Sequence, residues 1–270
     1  MFNLGSSQSL KVSIIGCGNM GGAFVQALEK VHEIDLHVYD SNVECTKAFA
    51  KGKNVTVLSK MEDAKGSDIV IIAVKPQILP LIYNDLKSLE PTLFISIAAG
   101  VSLEKLRLNL KTDKLVRFMP NIAAKIGHAV TAVAFSSSLE DTERQNAMAI
   151  AQSVGTAFEL EENLFSAFIG VSGSGIAYAL EFMHQMAMGG VREGLPYPKA
   201  LSIVSDTLLS AATLQKATGK NAIELETMVC SAKGTTIEGI TELNNKGFAS
   251  AIISAVSSAA RKSEELEKKA

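Results

Sequence analysis

Between Lys11 and Phe24 the chain reads KVSIIGCGNMGGAF: an alternating apolar run, then Gly16, Gly18 and Gly21 in the spacing G-x-G-x-x-G, then a helix-like pattern. In that spacing the first glycine permits a tight turn, the second lets a pyrophosphate approach the backbone, and the third lets the helix pack on the strand. The helix start offers unpaired N–H groups and the positive end of its dipole to that anion, which adds Asn19 and Met20 to the glycines as cofactor contacts. Alone the motif is weak, because glycines also gather in plain strand–helix turns. Its context strengthens it: a second β-branched run ends at Asp40, whose carboxylate can accept hydrogen bonds from an adenosine ribose. An acidic group there repels a 2′-phosphate, and Ser41, Asn42 and Val43 supply no arginine to offset it. The expected cofactor is therefore NAD(P)H, with NADH favoured by Asp40. The competing role for Asp40 is a helix N-cap, which Ser41 could fill instead.

Two segments stand where further strands should end. Ala73, Val74, Lys75 and Pro76 follow the fourth strand, and Ala98, Ala99 and Gly100 follow the fifth. In an open parallel sheet the carboxyl ends of the strands form the ligand crevice, so both should line the nicotinamide half. Lys75 is a weaker candidate, since a lone lysine is more often solvated; Ala98, Ala99 and Gly100 are small enough for a ring to lie against backbone. Far along the chain, residues 231–236 form a turn rich in small and hydroxyl residues ahead of a helix-like stretch, 235–243, so its amides can cradle an anion. The plainer reading of that turn is a helix cap. His32, His37, His128 and His184 have no metal-ligand spacing, so no metal is expected, and no Ser-His-Asp set is apparent.

The elements that must position these residues can be read from periodicity. Short β-branched runs at 12–15, 36–39, 55–57, 69–74 and 93–97 alternate with helix-like stretches, the pattern of βαβ units on a parallel sheet. Further strands are expected at 115–119 and 129–135, a helix at 139–153 and a short closing strand at 158–160. From about Asn163 the β-branched runs stop, and alanine, serine, methionine and glutamate fill long stretches that should be all helix. Within them Met183, Met186 and Met188 read as core filler, 248–260 as a helix buried on several faces, and 261–269 as a solvated charge run with Glu264–Lys268 and Glu265–Lys269 in i,i+4 spacing.

The 270 residues, 47% hydrophobic, suffice for one large or two ordinary domains, and a net charge of −2 carries no basic footprint for nucleic acid. Three scattered cysteines, Cys17, Cys45 and Cys230, suggest reduced thiols in a cytoplasmic protein, with Cys17 a small residue in a tight loop. Residues 1–9 read as a polar arm, and no apolar run reaches the length of a membrane span. The expected partner is a small molecule, with no nucleic acid and no membrane.

Three segments, Arg117-Phe118-Met119-Pro120-Asn121, Val171-Ser172-Gly173-Ser174-Gly175-Ile176-Ala177-Tyr178 and Val229-Cys230-Ser231-Ala232-Lys233-Gly234-Thr235-Thr236, resemble in order and spacing the signature segments of pyrroline-5-carboxylate reductases. The similarity runs from the glycine loop through AVKPQ and SIAAGVS to the closing helix, essentially the whole chain. It implies an α/β fold with an N-terminal Rossmann dinucleotide-binding domain, residues 1–162, and an all-helical C-terminal domain, residues 163–270, for substrate binding and dimerisation. A homodimer through the C-terminal helices is implied, and often a larger ring of such dimers, a decamer. The implied reaction reduces the cyclic imine acid 1-pyrroline-5-carboxylate to L-proline with NADPH or NADH. In the resemblance Ser231, Gly234 and Thr235 bind the substrate carboxylate, Thr236 hydrogen-bonds the ring nitrogen as the catalytic contact, and Asn121 joins the cofactor contacts. Little acid–base machinery is needed, because a protonated iminium is already electrophilic. The chain departs from the family pattern at Ala123, Ile176, His184, Asp206 and Lys233. Two alternatives stay open: a reductase of another imine or keto acid on the same fold, suggested by Ala123, His184 and Lys233, and a nucleotide-binding regulatory relative that keeps the cofactor loop without turnover.

Overall fold

The computed structural model describes residues 9–49 and 54–269, so the polar arm expected at 1–9 lies outside the described residues except for Ser9. The chain opens with β1 (Leu10–Ile15), α1 (Asn19–Leu28), β2 (Ile34–Tyr39), α2 (Val43–Lys47) and β3 (Val55–Val57). It continues through β4 (Ile69–Ile72), α3 (Leu79–Ser88), β5 (Leu93–Ser96), α4 (Leu103–Leu110) and β6 (Leu115–Pro120). Then come β7 (Ala129–Phe135), α5 (Asp141–Gln152) and β8 (Gly155–Glu159). The strands form one sheet in the order β3-β2-β1-β4-β5-β6-β7-β8, parallel throughout except between β6 and β7. The order reverses between β1 and β4, and in such a sheet the crevice beyond the carboxyl ends at that reversal is where ligands bind.

The sheet is covered on both faces, which is why its central strands read as continuous apolar runs rather than alternating ones. All four residues of β4 are buried. On one face Phe24 and Leu28 of α1 pack over Val12, Ile14 and Phe118, with the Phe24 and Phe118 rings stacked at 6.2 Å. On the other, Leu79 and Leu86 of α3 and Leu106 and Leu110 of α4 pack over Ile15, Val70 and Ile72. β4 and β5 end at Ile72 and Ser96, short of the expected 74 and 97. The Ala73 and Ile97 N–H groups still reach Ile15 and Ile72 carbonyls at 2.8 and 3.0 Å, after which the chain leaves the sheet into the two loops the site needs.

After β8 the chain is helical: α6 (Phe165–Phe168), a wide π turn (Ile169–Gly173), α7 (Gly175–Arg192), α8 (Tyr197–Thr218), α9 (Ala222–Val229), α10 (Thr235–Asn245) and α11 (Phe248–Lys269). Two compact units result: one runs to Gly173 and takes back the chain from Ala260 onward, and the other is Ser174–Ala259. The last turns of α11, which the sequence division at 162/163 groups with the helical domain, thus belong with the sheet. The bond that ties them there is buried. Arg117, on β6 and 1% exposed, donates through Nη1 to Glu162 at 2.7 Å and to Glu267 at 2.6 Å, with its guanidinium 4.8 Å from the centre of the Phe165 ring. The solvated reading of 261–269 is therefore corrected at Glu267; an ion pair formed within that run is Lys262–Glu265 at 3.1 Å. The Lys269 side chain lies outside the described residues.

The second unit is poor in core. Ala187, Ala200, Val204 and Leu225 are its buried apolar residues, while Leu209, Ile223, Met228 and Ile253 are each about two-thirds exposed. Met183 packs inward as expected, but Met186 and Met188, which flank the buried Ala187 on either side of α7, are exposed. Residues 248–260 are likewise open, with Phe248 resting on Phe182 at 5.8 Å beside an apolar cavity of about 690 Å³. Exposed apolar surface on this scale marks an interaction face. The continuous helical stretch Glu162–Arg192 has a mean hydropathy of 1.3 over its best window and is long and apolar enough to cross a membrane, a length the sequence reading did not credit. Core helices of globular proteins meet the same criterion.

Candidate functional site

The glycine loop is shaped by two different demands. Gly16 has φ +104°, its N–H donates to the Tyr39 carbonyl at 2.7 Å, and a Cβ there would stand 2.8 Å from the Ala73 carbonyl. At Gly21 a Cβ would stand 1.9 Å from the Gly16 carbonyl oxygen, so only glycine lets α1 start this close to β1. At Gly18 a Cβ would meet nothing within 4 Å. The first and third glycines are demanded by the protein; the second keeps room for something else. Gly18 is also the N-cap of α1, no side chain caps that helix, and no acidic residue stands in its first turn. Asn19 is exposed and Met20 half-buried, so the amides of the first turn are left for an anion. These features fit a dinucleotide pyrophosphate.

Asp40 does more than the sequence reading assigned. Its Oδ2 accepts the Cys17 N–H at 2.7 Å and its Oδ1 accepts the Asn42 N–H at 2.8 Å, which ties the glycine loop to the end of β2. Each carboxylate oxygen keeps acceptor capacity for a ribose hydroxyl. The helix cap considered for Asp40 or Ser41 falls to Asn42, whose Oδ1 accepts the Glu44 N–H at 3.1 Å. Burial first, then the Asp40 carboxylate and Cys45, push the Cys17 thiol up to about 12, so it is an inert thiol in the loop.

At the reversal point a cavity of about 280 Å³ is lined by Gly16, Asp40, Ser41, Val74, Ile78 and Ile82, and also by Lys60, Met61, Glu62 and Asp85. The last four, and Ile78 and Ile82 with them, were missed. Lys60 and Met61 lie just beyond β3, and the signal that could have found them is the strand order itself, since a third strand beside β2 must deliver its carboxyl end next to Asp40.

At the inner strand ends, Ala99 is exposed, Gly100 is half-buried with φ +74°, and Ala98 is buried with its N–H on Ser96 Oγ at 3.3 Å. Val74 lines the cavity, whereas the Lys75 side chain is exposed and absent from that lining; Lys75 and Pro76 carbonyls accept the N–H groups of Ile78 and Leu79 and so launch α3. Asn121 is 5% exposed and its side chain is spent on protein: Oδ1 accepts the Ala123 and Val130 N–H groups at 3.2 and 3.3 Å, and Nδ2 donates to Ser172 Oγ at 3.1 Å. Two motifs far apart in sequence are thereby joined, and contact with a cofactor is left to the backbone of Asn121.

In the second unit, residues 231–234 form a tight turn closed by the Gly234 N–H on the Ser231 carbonyl at 3.0 Å. Gly234 is the N-cap of α10, with no side-chain cap, so the amides of Thr235 and Thr236 open the helix. Thr236 is half-buried, and Ser231 and Thr235 are exposed. Lys233 holds φ +59°, a left-handed conformation that costs a non-glycine residue about 1–2 kcal/mol. His184 pairs edge-on with Tyr197, Nδ1 to hydroxyl at 3.0 Å.

Against this geometry the comparisons agree. The family model described as pyrroline-5-carboxylate reductase dimerisation matches residues 162–266, and the one described as NADP oxidoreductase coenzyme F420-dependent matches residues 11–100. A pyrroline-5-carboxylate reductase of Aquifex aeolicus is 35% identical over 260 residues, 96% of this chain and 98% of its own. The Escherichia coli enzyme of that name is 32% identical over 265 residues, again 96% and 98%. Among solved structures, the Streptococcus pyogenes 1-pyrroline-5-carboxylate reductase superposes with a TM-score of 0.83 at 31% identity, covering 96% of this chain and all of that one. The Coxiella burnetii pyrroline-5-carboxylate reductase gives 0.90 at 25%, covering 96% and 99%. The Plasmodium falciparum pyrroline carboxylate reductase, solved with NADP bound, shares the fold with a TM-score of 0.81 at 24% identity, covering 97% and 100%.

Proposed function

The chain belongs to the pyrroline-5-carboxylate reductase family, and from that premise we propose how its residues divide the work of reducing 1-pyrroline-5-carboxylate to L-proline. NAD(P)H, when bound, supplies the hydride. Gly16, Gly18, Asn19, Met20 and Gly21 hold the pyrophosphate, and Asp40 accepts from the ribose diol, which favours NADH. Ala73, Lys75 and Pro76, with Ala98, Ala99 and Gly100, border the nicotinamide half through backbone and small side chains, Val74 borders the cavity beside Asp40 instead, and Asn121 holds the end of β6 in place. The carrying observation is the vacant space at Gly18 on an uncapped helix start, between two glycines that the protein itself demands.

Ser231, Gly234 and Thr235 take the substrate carboxylate on the amides and hydroxyls that open α10, and Thr236 Oγ1 hydrogen-bonds the ring nitrogen, fixing which face of the imine is presented. Positioning then does most of the catalysis, since the protonated imine needs no further activation. The assembly is a homo-oligomer; we propose a dimer through residues 163–270 and a decamer as its larger form, supported by the open apolar side chains of the second unit. Cys17, Cys45 and Cys230 are all free, in keeping with a reducing, cytoplasmic setting.

The test is a pair of variants. Thr236→Val keeps shape and removes the hydroxyl, so kcat/KM for the imine should fall about 5- to 150-fold while cofactor affinity holds. Ser231→Ala should chiefly raise KM, because a carboxylate contact is made in ground and transition states alike. Full activity in Thr236→Val with an unchanged KM in Ser231→Ala would reduce the turn to a helix cap. Cofactor binding by the parent chain without oxidation would favour a regulatory relative.

A further inference from the structure

Resting on the reading of the 280 Å³ cavity as the adenosine end of the cofactor site, we infer that Lys60 recognises the 2′-phosphate of NADPH and makes this chain a user of both cofactors. β3 runs parallel to β2 with Val57 opposite Val38, and the Leu58 N–H still reaches the Val38 carbonyl at 2.9 Å. Lys60 comes three residues after Val57 and Ser41 three after Val38, Ser41 being the residue after the ribose-facing Asp40. Both line the cavity. Lys60 is exposed, and its ammonium has no ion-pair partner among the described residues; its backbone is held at the start of the next turn, the N–H on Asp63 Oδ2 and the carbonyl accepting the Asp63 N–H, each at 3.2 Å.

The charge around it explains why one lysine matters. Asp40, Glu62 and Asp85 also line the cavity, and Lys60 is the one cation among the described residues that do. Without it the charged residues of the lining are all acidic, which suits a neutral ribose diol and repels a phosphomonoester. Asp40 is partly offset already, since both of its oxygens accept backbone N–H groups. An ammonium from Lys60 and a hydroxyl from Ser41 give a 2′-phosphate one charge-assisted and one neutral hydrogen bond. Asp40 and Lys60 thus pull in opposite directions, the first toward the diol and the second toward the phosphate.

The experiment measures binding by calorimetry on the full chain, using NAD⁺, NADP⁺ and the fragment pair ADP and 2′,5′-ADP, for the parent, Lys60→Met and Lys60→Arg. Lys60→Met should weaken NADP⁺ and 2′,5′-ADP about tenfold, equal to about 1.4 kcal/mol, and leave NAD⁺ and ADP within about twofold. Lys60→Arg should keep the parental preference. The parent should lose NADP⁺ affinity with added salt more steeply than NAD⁺ affinity, and Lys60→Met should lose that excess. Equal Kd changes for the phosphorylated and unphosphorylated ligands, or none, would make Lys60 a solvated surface lysine and overturn the inference. Failure of the parent to bind ADP at all would overturn the cavity reading and the inference together.

Discussion

Replacing Asp40 with serine tests two roles at once, because its carboxylate both ties the loop and faces the ribose. The change removes the acceptors of the Cys17 N–H at 2.7 Å and the Asn42 N–H at 2.8 Å. Cys17 is 6% exposed, so its amide is left without water, at a cost of about 1–3 kcal/mol; Asn42 is exposed, and water replaces most of what it loses. Stability should therefore drop by about 2 kcal/mol, read as a shift of the urea midpoint at unchanged slope. Loosening the loop weakens both cofactors, and losing the diol contact weakens NADH more, so the ratio of affinities should move about tenfold toward NADPH. Asp40→Asn should fall between, since its one carbonyl oxygen can accept from only one of the two amides. Fluorescence titration with both cofactors reads the ratio, and denaturation reads the tie. Unchanged stability would refute the tie; an unchanged ratio would refute the ribose contact.

Three further outcomes follow from the same geometry. Gly18→Val should keep the fold, as a Cβ meets nothing there, yet cost at least about tenfold in cofactor affinity, whereas Gly21→Ala should disrupt the strand–helix joint itself, 1.9 Å from a carbonyl; calorimetry and circular dichroism separate the two. Arg117→Met should destabilise by about 3 kcal/mol in denaturant melts, the low end for a broken buried pair because Glu162 and Glu267 keep some water. Cys17 should resist alkylation at neutral pH; as its thiol is raised from 9.0 to about 12, its contribution to stability is whole below pH 9 and fades as pH climbs toward 12, a loss that Cys17→Ala should lessen in alkaline melts.

How much of this was legible from sequence depends on the range of the interaction. β1 to β7 could be read because each sets apolar residues in a short run bounded by polar loops, buried in all but the half-buried edge strand β3, and the glycine loop because its residue types carry their own geometry. The turn at residues 231–236 was legible for the same reason. What could not be read is pairwise and distant: Asn121 with Ser172, Arg117 with Glu267, and Lys60 beside Ser41 each need two elements to meet. Met186 and Met188 misled because an apolar side chain in a helix does not by its type say whether it packs within the unit, and both flank the buried Ala187 exposed. Asp40 was read for its ligand and not for its backbone partners, which no spacing rule encodes.

The central claim is a reaction, so the most direct measurement is product formation. Purified chain is incubated with 1-pyrroline-5-carboxylate and either NADH or NADPH, absorbance at about 340 nm follows cofactor oxidation, and chiral chromatography identifies the product. The account predicts L-proline formed in equal amount to cofactor oxidised, with both cofactors active and with activity lost first on the imine side in Thr236→Val. Oxidation without proline, or turnover of another imine or keto acid to the exclusion of this one, would contradict it.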